Sequence, residues 1–200
     1  MVLATELASR FGLRPASALH DESNGPVVPV PTAWLPLFAG GGIRHGSTVS
    51  VLASLAVVAA LMSATTQAGL WCAVVGAPAL SAAAAARAGV ELSKCVFVNP
   101  GSDIGLTLAP LSELDLVVIG EPQRLSAVTT RQVTARARNT GAVLIGAGRW
   151  PGADIRLRVT SSRWEGIEAG YGHLTSRRLR LEADGRRIPI ARHIELVMGA

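Results

Sequence analysis

Residues 47–69 read STVSVLASLAVVAALMSATTQAG, an apolar strand-like run followed without a break by an apolar helical run. The first part alternates and then becomes continuously apolar, which predicts a buried β-strand over residues 47–53. The second part ends at Gly69, where helices commonly place a C-terminal glycine, and this predicts a helix over residues 54–69. A buried strand that leads directly into a helix indicates an α/β fold.

The same alternation of strands and helices continues to residue 148. Further strands are predicted over 70–77, 94–101, 113–122 and 142–148, and helices over 79–89 and 122–141, with a weak helix or loop over 103–112. Because these strands are apolar along their whole length, both faces of the sheet must be covered. The pattern therefore predicts a three-layer core with a mostly parallel sheet.

The residues after Pro151 follow a different pattern. Three stretches, 154–166, 174–185 and 187–198, alternate basic and apolar residues. This alternation is typical of antiparallel strands with one buried and one solvated face. We expect a C-terminal antiparallel extension of the sheet with an arginine-rich face.

The first 39 residues are predicted to form a separate N-terminal part, followed by a single domain over 40–200. Leu3, Leu7 and Phe11 share one side of a short helix predicted over 2–11. Residues 21–36 contain four prolines and are predicted to be an extended linker on the surface of the domain.

Composition and charge exclude several classes of protein. Hydrophobic residues make up 49% of the chain and charged residues 16%, which excludes a disordered chain. No signal peptide is expected, because Glu6 comes early and the start has no apolar core of the required length. No membrane span is expected, because glycine and proline interrupt the long uncharged stretch, and we expect a cytoplasmic location. The net charge is +5, but the excess of arginine falls after residue 123, which suggests an anionic partner for that part.

No residue pattern for catalysis or metal binding is present. The four histidines lack zinc-ligand spacing, and no serine lies in a nucleophile-elbow motif. Cys72 and Cys95 lie in apolar runs and are interpreted as buried small side chains in a reducing compartment, rather than as a disulfide or metal pair. We therefore expect a protein that is not an enzyme and has no cofactor.

Three stretches resemble the core of RecA in their order. They are GGGIRHGSTVSV (40–51), AGLWCAVVGAPALSAAAAARAGVELSKCVFVNPG (68–101) and LDLVVIG (114–120). The phosphate-binding loop G-x-x-x-x-G-K-[ST] is missing, since the strand 47–53 meets its helix directly and the only lysine, Lys94, precedes another strand. Gly120 stands where an aspartate would hold the metal. The resemblance thus implies a RecA-like fold whose P-loop is deleted.

Among RecA-like proteins without these parts, the chain resembles the ImuA/SulA-like family, and within it the actinobacterial ImuA′ proteins. That resemblance implies a non-catalytic accessory protein of SOS-induced mutagenic translesion DNA synthesis. It implies an ImuB-type inactive Y-family polymerase homologue as partner, an error-prone C-family polymerase as an indirect partner, and association with the nucleoid on DNA damage. The alternative is a RecA-like protein that binds DNA directly and has no ATPase activity.

Two groups of C-terminal residues are the candidates for partner binding. Five arginines, Arg177, Arg178, Arg180, Arg186 and Arg187, lie around a hairpin predicted at 183–185. They fit DNA phosphates or an acidic protein surface equally well, and a simple solvated face is the other interpretation. Three apolar residues near the end, Ile194, Leu196 and Val197, are expected to dock onto a partner or a second copy of the chain.

Overall fold

The computed structural model describes residues 25–38, 40–100, 104–168 and 171–199, so the helix predicted over 2–11 lies outside the described residues. The strands are β1 Val27–Pro29, β2 Gly42–Arg44, β3 Thr48–Leu52, β4 Cys72–Val75, β5 Cys95–Val98, β6 Leu116–Ile119, β7 Val143–Gly146, β8 Ile155–Glu168, β9 Tyr171–Gly185 and β10 Ile188–Gly199. The α-helices are α1 Leu55–Gln67, α2 Ala82–Arg87, α3 Ile104–Leu111 and α4 Ala127–Thr140.

Within the described residues, β3 to β10 form one eight-stranded mixed sheet. Its order is β10-β9-β8-β3-β7-β6-β4-β5. The strands from β5 to β8 in this order are parallel, whereas β9 is antiparallel to both β8 and β10. The predicted mostly parallel sheet with a C-terminal antiparallel extension is therefore confirmed.

Helices cover both faces of the parallel part. The chain crosses the sheet in one direction from β3 to β5 and returns from β5 to β7, so right-handed crossovers place α1 and α2 on one face and α3 and α4 on the other. The larger hydrophobic cluster contains Leu61 of α1 and Ala85 of α2. A second cluster contains Leu108 of α3 and Val133 of α4. The core thus has the three layers expected from the apolar strands.

The proline-rich segment is more closely integrated than a surface linker. An extended chain is correct for β1, which pairs antiparallel with β2. It is wrong for Thr32–Leu37, which form a 3-10 helix that includes Pro36. Val28, Trp34 and Leu37 are buried in the larger cluster, because burial of these apolar side chains stabilises the compact arrangement.

Helix α4 begins later than expected. Ser126 caps it by accepting a hydrogen bond from the backbone N–H of Thr129, while the preceding Pro122–Arg124 form a 3-10 turn. It ends at Gly141, whose φ of +88° is the left-handed conformation typical of a C-terminal glycine. None of the helices in the described ranges combines the length and apolar character that a membrane span requires.

A buried carboxylate anchors the connection between β7 and β8, which forms hydrogen bonds with Ser50 and Thr48 of β3. Asp154 is 5% exposed, and its Oδ2 accepts hydrogen bonds from the backbone N–H of Thr48 at 3.0 Å and from the Thr48 hydroxyl at 2.9 Å. Its Oδ1 accepts from Arg186 at 2.7 Å. This one side chain therefore ties the start of β3 to the turn between β9 and β10.

Candidate functional site

The connection between β3 and α1 is very short. β3 ends at Leu52 and α1 begins at Leu55, so only Ala53 and Ser54 join them. Ser54 caps the helix by accepting a hydrogen bond from the backbone N–H of Val57 at 3.3 Å. Ala53 has a φ of +61°, a conformation that side-chain-bearing residues rarely adopt. The carboxyl end of this central strand therefore carries a tight, self-capped corner.

The backbones that follow β4 and β6 approach each other closely at the carboxyl ends of these strands. The backbone N–H of Gly120 donates to the carbonyl of Val75 at 2.9 Å. A Cβ atom at position 120 would overlap the carbonyl oxygen of Gly76 and the Cα of Ala77. The backbone itself fills the space that any side chain at residue 120 would need.

Lys94 lies at the amino end of β5, the last strand in the order of the sheet. It precedes β5, and its Nζ lies 4.9 Å from the centroid of the Trp71 ring, next to the start of β4. Ligands of parallel α/β sheets bind at the carboxyl ends of the strands. Lys94 therefore lies at the amino ends of the strands, whereas the corner between β3 and α1 lies at a carboxyl end.

The antiparallel extension exposes one face that we call the arginine face. It consists of the side chains on β8 and β9 that point away from the buried Leu157, Leu179 and Leu181. Its members are Arg156, Arg158, Arg163, Arg178 and Arg180. The row continues onto β10, where Glu195 lies opposite Arg180 and Val197 opposite Arg178.

Cross-strand ion pairs neutralise part of the arginine face. Arg156 pairs with Asp184, Arg158 with Glu182 at 2.7 Å, and Arg178 with Glu165 at 3.1 Å. Hydrogen bonds from Arg178 and Ser176 hold the pKa of the Glu165 carboxyl below its ordinary value, and the nearby Arg163 acts in the same direction. Within the described residues, Arg163 and Arg180 have no carboxylate within 4.0 Å. These two guanidinium groups therefore have no direct ion pair among the described residues, although Glu195 lies opposite Arg180 in the strand pairing.

A cavity of about 400 Å³ adjoins the arginine face at the end of β3. Arg149, Arg156, Arg158 and Asp184 contribute to its walls. The Ser50 hydroxyl holds the loop that carries Arg149, because it donates to the carbonyl of Gly148 at 2.8 Å. The cavity therefore places Arg149, from a loop that is anchored to the sheet, beside the arginine face.

The five arginines predicted as one cluster occupy three different places. Arg178 and Arg180 lie on the arginine face, but Arg177 points to the opposite face, 5.3 Å above the ring of Trp164. Arg186 and Arg187 form the turn, which falls just after the predicted position at 183–185. Since Arg186 pairs with the buried Asp154, it supports the fold. The five arginines therefore do not share one face, and their role in partner binding stays a prediction.

The three apolar candidates also divide between the two faces of β10. Leu196 is 8% exposed and Ile194 packs against the larger cluster, so both belong to the core. Val197 is 61% exposed beside Arg178. Only Val197 of the three is available to a partner on the arginine face.

Sequence reasoning missed Arg156, Arg158 and Arg163, which share this surface. A β-bulge between Val159 and Ser161 reverses the alternation of β8, so that even-numbered arginines before it and the odd-numbered Arg163 after it point the same way. The basic–apolar alternation of 154–158 was the one pattern in the sequence that could have identified Arg156 and Arg158 as neighbours on this face.

No metal site is formed by the described residues, since no three potential ligands among His, Cys, Asp and Glu come together there.

Comparison with known proteins places the parallel core in a family. Residues 36–152 match the family described as the MT3502 N-terminal domain, a range that ends just before β8. The chain is also 31% identical over 151 residues to the uncharacterized protein Rv3395c of Mycobacterium tuberculosis. That similarity covers 70% of this chain and 74% of the mycobacterial protein.

Proposed function

The chain belongs to the MT3502 N-terminal domain family, and from this premise we propose that it is a non-catalytic accessory protein of mutagenic translesion DNA synthesis, of the ImuA′ type. In this proposal its fold is a RecA-like core that has lost the phosphate-binding loop. It acts by protein contacts with an ImuB-type polymerase homologue, and through that partner with an error-prone C-family polymerase.

The connection between β3 and α1 carries the proposal. A P-loop needs several glycine-rich residues whose backbone N–H groups surround the phosphates, followed by a lysine. Two residues, Ala53 and Ser54, leave no length for such a loop, and the Ser54 hydroxyl already occupies the helix N-terminus. The overlap that a side chain at Gly120 would meet adds support, since a metal-binding carboxylate cannot be accommodated there.

The arginine face is the partner surface that the geometry favours. It extends over three strands and combines guanidinium groups with the exposed Val197. Arg163 and Arg180 are free of ion pairs within the described residues and can form bidentate hydrogen bonds with carboxylates. We therefore expect an acidic surface on the partner.

Co-purification with the ImuB-type protein of the same organism tests this function. The wild-type chain should retain the partner equally with and without ATP and Mg²⁺. The double variant Arg163→Glu/Arg180→Glu should bind about tenfold more weakly or worse, because two like-charge contacts replace two attractive ones. Arg131→Glu, on the exposed side of α4, is the matched control and should bind normally.

Two outcomes would count against the proposal. Binding that requires ATP would contradict the loss of the nucleotide site. Unchanged binding of the double variant, with an unfolding curve that matches the wild type, would exclude the arginine face as the contact surface.

Direct DNA binding is the second candidate, favoured by the cavity with Arg149, Arg156 and Arg158 beside the arginine face. Contacts to phosphates would make the affinity fall steeply with salt, by an amount that grows with the number of arginines involved. Fluorescence anisotropy with duplex and single-stranded oligonucleotides over a salt series measures this. The absence of any affinity at low salt would eliminate the candidate.

A further inference from the structure

The fold brings the two cysteines of the chain together. Cys72 and Cys95 are the only cysteines in the sequence, and they belong to different strands. In the parallel pairing of β4 with β5, Cys72 lies directly opposite Cys95. Both side chains point to the face covered by α1, since both pack in the larger hydrophobic cluster.

The spacing of the two strands suits a bond between these sulfurs. Neighbouring strands lie about 4.8 Å apart, which is within the range of roughly 4.4–6.8 Å found between the Cα atoms of disulfides. Within the described residues, β5 is the edge strand of the sheet and pairs with β4 alone. A small shift of this edge strand can therefore bring the sulfurs to bonding distance without disturbing the rest of the sheet.

The two thiols differ in accessibility and in acidity. Cys72 is fully buried, whereas Cys95 is partly exposed at the edge. Interaction with the Cys72 thiol directly opposite lowers the pKa of Cys95, and the same interaction, together with burial, raises the pKa of Cys72. An oxidant therefore reaches the more acidic thiol, Cys95, first, and the Cys72 thiol lies directly opposite it.

We propose that Cys72 and Cys95 form a peroxide-sensitive thiol pair that closes reversibly into a disulfide between β4 and β5. The Cys95 thiolate attacks one oxygen of hydrogen peroxide, the O–O bond breaks, and hydroxide leaves, which forms a sulfenic acid on Cys95. The Cys72 sulfur then attacks the Cys95 sulfur and its proton leaves with the hydroxyl group as water. Two thiols and one peroxide thus give one disulfide and two waters.

The bond would link the edge strand β5 covalently to β4. The side chains of Val96 and Phe97 on β5 are 39% and 37% exposed, so the oxidised form would hold this apolar edge more rigidly. A thiol reductant would release it. This inference is independent of the proposed function, because it concerns the opposite end of the sheet from the arginine face.

Mass spectrometry of the reduced full-length chain after treatment with one equivalent of hydrogen peroxide tests the proposal. We expect loss of two hydrogen atoms, a cross-linked peptide pair that contains Cys72 and Cys95, and full reversal with dithiothreitol. The melting temperature of the oxidised chain should rise by several degrees. In Cys72→Ser, dimedone should instead trap the sulfenic acid on Cys95, whereas Cys95→Ser should stay reduced.

Three results would overturn the inference. They are two free thiols after peroxide treatment of the wild type, disulfides only between different chains, or sulfinic acid on Cys95 without a bond to Cys72. All three are read on the wild-type protein, so they do not depend on the folding of a variant.

Discussion

Replacement of Asp154 by alanine should be among the most destabilising single changes away from the hydrophobic clusters. The carboxylate is 5% exposed and accepts two hydrogen bonds from Thr48, which is itself fully buried. Its removal leaves the backbone N–H and the hydroxyl of Thr48 without these partners. It also releases Arg186, whose side chain is 64% exposed and can be hydrated.

The expected loss follows from these contacts. Hydrogen bonds to a charged group contribute about 1.5–3 kcal/mol each, and a buried donor without an acceptor is costly. The ion pair with the exposed Arg186 adds little to the loss of stability, because surface ion pairs contribute about 0–1 kcal/mol. We expect a decrease of about 3 kcal/mol in the free energy of unfolding. Asp154→Asn keeps an acceptor for Thr48 and should lose roughly half of that.

Urea unfolding followed by circular dichroism measures the effect. With an m-value of about 2–3 kcal/mol per molar urea, the midpoint of Asp154→Ala should fall by about 1 M. Glu121→Ala is the control, because Glu121 forms an ion pair with the exposed Arg124 at the surface. Its replacement should change the free energy of unfolding by less than about 0.5 kcal/mol. Equal midpoints for the two variants would refute the assignment of Asp154 as the fastening between β3 and the β9–β10 turn.

Three further predictions address backbone conformation and charge. Ala53→Gly should raise the free energy of unfolding by about 0.5–1 kcal/mol, because glycine adopts the φ of +61° without strain. The control Ala86→Gly, within α2, should lower the free energy of unfolding. A lower free energy of unfolding in both variants would contradict this. Gly120→Ala should lower it by about 2 kcal/mol or more, since the new Cβ overlaps Gly76, and an unchanged thermal melting curve would disprove that close contact. In Arg178→Gln, the pKa of Glu165 should rise towards its ordinary 4.5, as read from an NMR titration of the carboxyl carbon. Because the pKa of Glu165 is depressed in the folded state, the pair with Arg178 stabilises the wild type at pH values above the unfolded-state pKa. This contribution is lost as the pH falls through the folded-state pKa. Arg178→Gln should lack this loss of stability in acid.

The core elements could be predicted from the sequence because their signals are local. The alternating and then apolar pattern of the strand at Thr48–Leu52 and the glycine after α1 each act within a few residues, and the structure places both elements as expected. The start of α4 was predicted too early, since the preceding proline favours a 3-10 turn and Ser126 provides the actual cap.

The candidate surface was predicted only in part, because a face depends on strand register. Arg178 and Arg180 were identified correctly as neighbours, but Arg177 lies between them in the chain and points to the other side. A side chain in a strand changes face with every residue, so clustering in the sequence does not imply a shared surface.

The sequence alone determined the α/β character of the core, the antiparallel extension and the absence of a phosphate-binding motif, since each depends on residues that are close together in the chain. Only the tertiary structure decided which arginines share a face and that Cys72 lies opposite Cys95. These relations depend on how strands far apart in the chain align, and that alignment is set by the packing of the whole sheet and by one bulge in β8.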